Sequence, residues 1–170
     1  MDGDLREGDV TMQKVTTCLW FNRNAEEAVN FYVSIFKNSM ILNIARYPEG
    51  ALYPKGSVML ITFQLAGQEY LALNGGPEFK PTPAMSLAVD CETQAELDEL
   101  WKKLTAGGAE SQCGWLTDKY GVSWQLVPSV LPQLMQDKDP EKSKRVTQAL
   151  MKMKKIDIDA LQRAHDNKAA

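Results

Sequence analysis

Gln112–Pro128 reads QCGWLTDKYGVSWQLVP. The runs WLT and VSWQLVP are rich in β-branched, aromatic and aliphatic residues, and they flank DKYG, a turn-forming tetrapeptide. The stretch therefore predicts a strand, a tight turn and a second strand. Side chains alternate along a strand, so Ser123, Gln125 and Val127 share one face and Trp124 and Leu126 the other. The apolar face must be buried, which makes this hairpin the end of a larger sheet. The face bearing Gln125 is read as the wall of a concave pocket.

Working upstream, Ala84–Asp90 (AMSLAVD) predicts another strand. Thr93 and Glu96 then form a capping box. Leu97, Leu100, Trp101 and Leu104 follow at helical spacing, and Gly107-Gly108 ends the helix. Ala109–Ser111 leads into the hairpin. The same order stands earlier in the chain. Val15–Phe21 (VTTCLWF) is β-rich, Asn22-Arg23 turns, and Asn24 with Glu27 reads as a capping box. Val29, Tyr32, Ile35 and Phe36 give an apolar side to a helix that runs to about Lys37, where Asn38 stops it. Strands are predicted over Ser39–Tyr47, Ser57–Leu65 and Gln68–Asn74, the last two joined by Ala66-Gly67. Pro48–Gly56 is a loop, and Gly75–Pro83, GGPEFKPTP, is a linker.

Strand, capped helix and a run of strands thus occur twice, over about 14–76 and 83–128. Two βαβββ modules predict an α+β protein. Each helix buries one face on its own sheet, and the two curved sheets together form a half-barrel with the pocket inside. Residues 1–13 read as a loose polar leader. After Pro128 the chain turns helical. Asp139-Pro140 sets an N-cap and a first-turn proline, Val146, Leu150 and Met153 form a stripe, and Asp157 caps a last helix with Ile158 and Leu161. Lys142, Lys144, Arg145, Lys152, Lys154 and Lys155 read as a solvated face or as a basic docking patch.

The 170 residues are 44% hydrophobic and 24% charged, with a net charge of −3. This is a globular composition without the basic stripe of a nucleic-acid binder. No apolar run nears the roughly 18 residues of a membrane span, and the acidic start lacks the apolar core of a secretory signal. Cys18, Cys91 and Cys113 are an odd set without CxxC spacing, which fits free thiols in a reducing, cytoplasmic setting.

The stretches TTCLWF…AEEAVNFYVSIF, FQLAGQEYLALNGGPEFK, QCGWLTDKYGVSWQLVP and MKKIDIDAL resemble the vicinal-oxygen-chelate (glyoxalase/bleomycin-resistance) superfamily. Within it they resemble the PhnB-like branch, whose members carry the description 3-demethylubiquinone-9 3-methyltransferase. The resemblance spans nearly everything after Lys14 and implies the half-barrel fold and a homodimer. Metal-dependent relatives place His, Glu or Gln at four inward positions. Carried over, these fall on Thr17, Ala72, Ala84 and Gln125, a set with too few imidazole, thiolate or carboxylate groups for a transition metal. The expectation is no bound metal and no cofactor. No Gly-rich turn follows a strand in the pattern that cradles a nucleotide.

The candidate ligand-binding residues are Thr17, Phe21, Asn74, Ser86, Trp115 and Gln125, with Leu19, Tyr70, Ala88 and Asp90 on the same inner wall. Gln125, Asn74 and Ser86 either contact a ligand or satisfy one another and water. Cys113 reads as a buried inert thiol or a reactive one, and Asp90 and Glu92 as an acid/base pair or as helix-capping carboxylates. Trp20, Trp101 and Trp124 are assigned to the sheet–helix layers. His165 is expected at the surface of the tail. Three functions remain: a metal-free small-molecule-binding protein, a metal-independent enzyme on a small organic substrate, and a structural or regulatory dimer with a vestigial pocket.

Overall fold

The computed structural model describes residues 14–168; the expected leader over 1–13 lies outside them. Two compact units divide at Pro77 and Glu78.

The first unit holds β1 (Thr17–Phe21), α1 (Ala25–Ile35), β2 (Met40–Arg46), β3 (Val58–Leu65) and β4 (Gln68–Asn74) in a sheet of order β1-β4-β3-β2. β1 runs parallel to β4, and the other pairs are antiparallel. Ala66 and Gly67 both take positive φ, 49° and 88°, the backbone that a two-residue hairpin between right-twisted strands requires. Ala28, Val29 and Tyr32 of α1 are fully buried, as are Ile61, Phe63 and Ala72 of the sheet. That layer is this unit's core.

In the second unit β5 (Leu87–Cys91), α2 (Gln94–Leu104), β6 (Ala109–Glu110), β7 (Trp115–Thr117) and β8 (Ser123–Pro128) repeat the pattern, with order β5-β8-β7-β6. β5 is again parallel to the last strand of its module. Ala84, expected in a strand, sits in the turn that precedes β5. Thr93 caps α2 as the sequence requires, accepting from Glu96 N at 3.2 Å, while the Glu96 carboxylate accepts from Glu92 N at 2.9 Å. Leu97, Leu104, Trp124 and Leu126 are buried between α2 and its sheet.

Three further helices follow, α3 (Leu131–Met135), α4 (Pro140–Leu150) and α5 (Ile158–His165). Asp139 and Asp157 cap the last two through their side chains, as expected from the sequence. The extension is bound to its module by backbone bonds. Cys113 N donates to Met153 O at 2.8 Å and Gly114 N to Lys154 O at 2.7 Å. Gln94 of α2 bonds Ile156 O and accepts from Ile158 N. Val146, Ile156 and Leu161 are buried.

Candidate functional site

Sheet register decides which side chains share a face, because paired residues point the same way. In the first sheet Phe21 pairs with Asn74, Leu19 with Ala72 and Thr17 with Tyr70. Ala72 in turn pairs with Ile61, and Tyr70 with Phe63. Asn74 Oδ1 accepts from Ala25 N, the first residue of α1, at 2.9 Å, and Asn74 Nδ2 donates to Val58 O at 3.0 Å. This face is therefore the one that α1 covers. Thr17 and Phe21 stand on it with Leu19, Tyr70 and Ala72, so their expected place on the face away from the helix is corrected. Asn74 stands on the same face and lines the cavity described below. The opposite face of the first sheet carries Cys18, Trp20, Leu71 and Leu73. Trp20, expected in the sheet–helix layer, is on that opposite face, and its Nε1 donates to Gly76 O at 2.9 Å.

Asn74 also replaces the expected local cap. The Asn24 side chain makes no capping bond to α1. The first helical N–H is satisfied instead by a residue 49 positions away. Local spacing cannot reveal a cap delivered by tertiary structure.

In the second sheet the sequence-derived faces agree with the structure. Leu87, Val89, Trp124 and Leu126 form the α2 side. Ala88 pairs with Gln125, Asp90 with Val127 and Trp115 with Gln125 on the other side. Gln125 Nε2 donates to Ser86 Oγ at 2.8 Å. Ser86, Trp115 and Gln125 are thus brought together, each half-buried, with Ala88 and Asp90 exposed beside them. The hairpin beneath is held by Asp118, a residue the sequence reading passed over. Its carboxylate, 3% exposed, accepts from Tyr120 N, Val122 N and Trp124 Nε1 at 2.8–3.0 Å. Acceptance from two turn N–H groups and an indole fixes the strand that carries Gln125.

Neither sheet's face away from its own helix suits a transition metal. In the first sheet that face carries Cys18, Trp20, Glu69, Leu71 and Leu73, one thiol and one carboxylate, and in the second it carries Ser86, Ala88, Asp90 and Gln125, with one carboxylate. Such a site needs three or more imidazole, thiolate or carboxylate donors. Among the described residues no group of three or more His, Cys, Asp or Glu side chains is placed to hold a metal ion.

The three cysteines are free. Cys91 is fully buried, and burial, with Glu96 and Asp90 nearby, pushes its thiol up to about 12. It stays protonated and inert at neutral pH. Burial also raises Cys18. Cys113 is half-buried, with its Sγ 3.6 Å from Leu150 O and 3.8 Å from Met151 Sδ.

His165, expected at the surface, is clasped between two carboxylates. Its Nε2 lies 2.9 Å from Asp137 Oδ2 and its Nδ1 3.0 Å from Asp166 Oδ1, with the side chain 15% exposed. The clasp joins α5 to the segment between α3 and α4.

The first unit also contains a cavity of about 390 Å³ that the sequence did not announce. Arg23 and Glu26, Arg46 and Tyr47, Tyr53 and Pro54, Ser57, Val58 and Asn74 line it. These residues come from the β1–α1 turn, the start of α1, the end of β2, the β2–β3 loop, the start of β3 and the end of β4. No local motif joins them.

Residues 13–127 match the family model described as 3-demethylubiquinone-9 3-methyltransferase. A solved structure described as a putative 3-demethylubiquinone-9 3-methyltransferase, PhnB protein, from Bacillus cereus is 45% identical. The alignment covers 69% of this chain and 100% of that one, with a TM-score of 0.64. Protein PA1353 from Pseudomonas aeruginosa is 21% identical over 68% of this chain and 97% of its own, TM-score 0.58. The fosfomycin resistance protein FosX from Listeria monocytogenes is 15% identical over 75% and 99%, TM-score 0.55. The last two show a shared fold. No curated protein matches the chain.

Proposed function

Since the chain belongs to the 3-demethylubiquinone-9 3-methyltransferase family, the PhnB-like branch of the vicinal-oxygen-chelate superfamily, we propose that it is a small-molecule-binding protein that works without a bound transition metal. The observation that carries this reading is the Gln125–Ser86–Trp115 group on the face of the second sheet opposite α2. An amide and a hydroxyl supply hydrogen-bond donors and acceptors, and a half-buried indole supplies a stacking surface. That combination suits a small, partly polar organic molecule. The donor set argues against metal chelation.

Methyl transfer receives no support from the topology. Both sheets are mixed and four-stranded, unlike the doubly wound parallel sheet that binds a nucleotide cofactor. The proposed protein is a homodimer in a reducing, cytoplasmic setting. The edge strand β2, with Met40 51% and Leu42 47% exposed, supports pairing. Among the described residues no helix is long and apolar enough to cross a membrane.

The test is mass spectrometry of small molecules released from the natively purified protein, beside elemental analysis. Wild type is expected to yield a bound species that Gln125→Leu and Trp115→Ala lose. Equal recovery from the variants, or a stoichiometric content of zinc, iron or manganese, overturns the proposal.

A further inference from the structure

The cavity of the first unit is framed by a chain of contacts that fixes its walls. Tyr47 OH donates to Asn74 O at 2.7 Å. The Tyr47 and Tyr53 rings meet edge to face at 5.2 Å between centroids. The Arg23 guanidinium lies over the Tyr53 ring, 4.7 Å from its centroid. The loop is closed by Tyr47 N to Ser57 O and Gly56 N to Tyr47 O, both 2.9 Å. Arg46 Nη1 donates to Gly56 O at 2.9 Å, leaving four of the five guanidinium N–H groups for another partner. Neither Arg23 nor Arg46 forms an ion pair with a carboxylate among the described residues. Arg23 moreover holds φ +68°, a left-handed backbone unfavourable to a residue with a side chain but adopted freely by glycine.

We propose that this cavity is a binding site for a small oxyanion, a carboxylate or phosphate group, gripped by the Arg23 and Arg46 guanidiniums. Arg23 and Arg46 are exposed side chains, and an aromatic contact on one and a backbone bond on the other each remove part of the freedom that binding would cost. Guanidinium planes match the geometry of planar and tetrahedral oxyanions. Glu26 lines the same space, so two positive charges face one negative. One net positive charge favours a singly charged group, and Glu26 accepts from a hydroxyl or ammonium elsewhere on the same ligand. The site involves none of the Gln125, Ser86 and Trp115 group, so its success or failure is independent of the reading above.

The test is a nuclear magnetic resonance titration of the full chain at low ionic strength, with sodium acetate and with inorganic phosphate as separate probes. Saturable shifts are expected at the amides of Arg23, Tyr47, Gly56 and Ser57. Arg46→Gln should weaken binding about tenfold, the effect of losing a charge-assisted contact. Arg23→Gly should weaken it similarly without lowering the unfolding temperature, because glycine relieves the backbone. Glu26→Gln should tighten binding and raise the preference for phosphate over acetate. A response to one probe alone identifies the ligand as a carboxylate or a phosphate, and either supports the site. Shifts that do not saturate, that centre on the lysines of α4 and α5, or that survive both arginine substitutions overturn it.

Discussion

Asn74 shows how a single side chain can do two jobs that a local reading assigns elsewhere. Its amide caps α1 and ties β4 to Val58, at 5% exposure. Truncation leaves a buried N–H and a buried carbonyl without partners. Asn74→Ala should therefore cost about 2 kcal/mol or more, read as a lower urea midpoint in tryptophan fluorescence. Asn24→Ala removes no capping bond and should stay within about 0.5 kcal/mol. Equal losses, or the reverse order, would restore Asn24 as the cap. Arg23 is the other residue that matters at this scale. Three residues separate Phe21 from Ala25, whereas two separate Cys91 from Gln94. The left-handed turn at Arg23 takes up the extra residue. Counting strand positions back from each helix start therefore runs one residue out of step between the modules. A slip of one reverses every side chain, so a count back from the start of α1 puts Thr17 and Phe21 on the face away from the helix, whereas the register places them on the face that α1 covers.

Among the elements, α5 is held by charge as well as by its apolar stripe. Hydrogen bonds to Asp166 and then Asp137 raise His165 above its ordinary value of 6.5. The backbone N–H of Asp139, together with His165, lowers Asp137 below 3.8, and His165 and Lys168 lower Asp166. Lys142 opposes the rise at His165, and Arg145 donates to Ala164 O and His165 O. A raised histidine stabilises fully below 6.5, and its contribution disappears as pH rises through the folded value. The depressed carboxylates contribute above 3.8, and theirs disappears as pH falls through their lowered values. The clasp is thus strongest in mildly acidic solution. His165→Gln should lower the unfolding temperature more at pH 5.5 than at pH 8.5. A difference independent of pH would show that the imidazole serves packing alone.

For the whole chain, the family match ends at residue 127, yet α3–α5 complete hydrogen bonds that begin inside it. Without residues 129–170 the N–H groups of Cys113 and Gly114 lose their acceptors, and the Gln94 side chain loses both Ile156 O and Ile158 N. Two unsatisfied N–H groups and the lost burial of Ile156 and Leu161 sum to several kcal/mol. A chain ending at Pro128 should therefore aggregate or unfold well below the intact protein in a thermal scan. A truncated chain with an unchanged midpoint would make the extension an independent appendage.

The repeat was written in local signals: caps, helical spacing, alternation and turn residues occur twice in the same order, and those suffice for two βαβββ modules and for the Ser86–Trp115–Gln125 face. Other features depend on residues far apart in the chain. The strands of the first module, TCLWF and VMLITFQL, are apolar on both faces, so hydrophobicity could not say which face meets the helix. The cap from Asn74, the clasp on His165 and the cavity between Arg23 and Arg46 each join segments that only folding brings together. Amino-acid order sets periodicity and turn chemistry because these act over a few bonds. Facing, capping at a distance and cavity walls are set by register, and register is a property of paired strands.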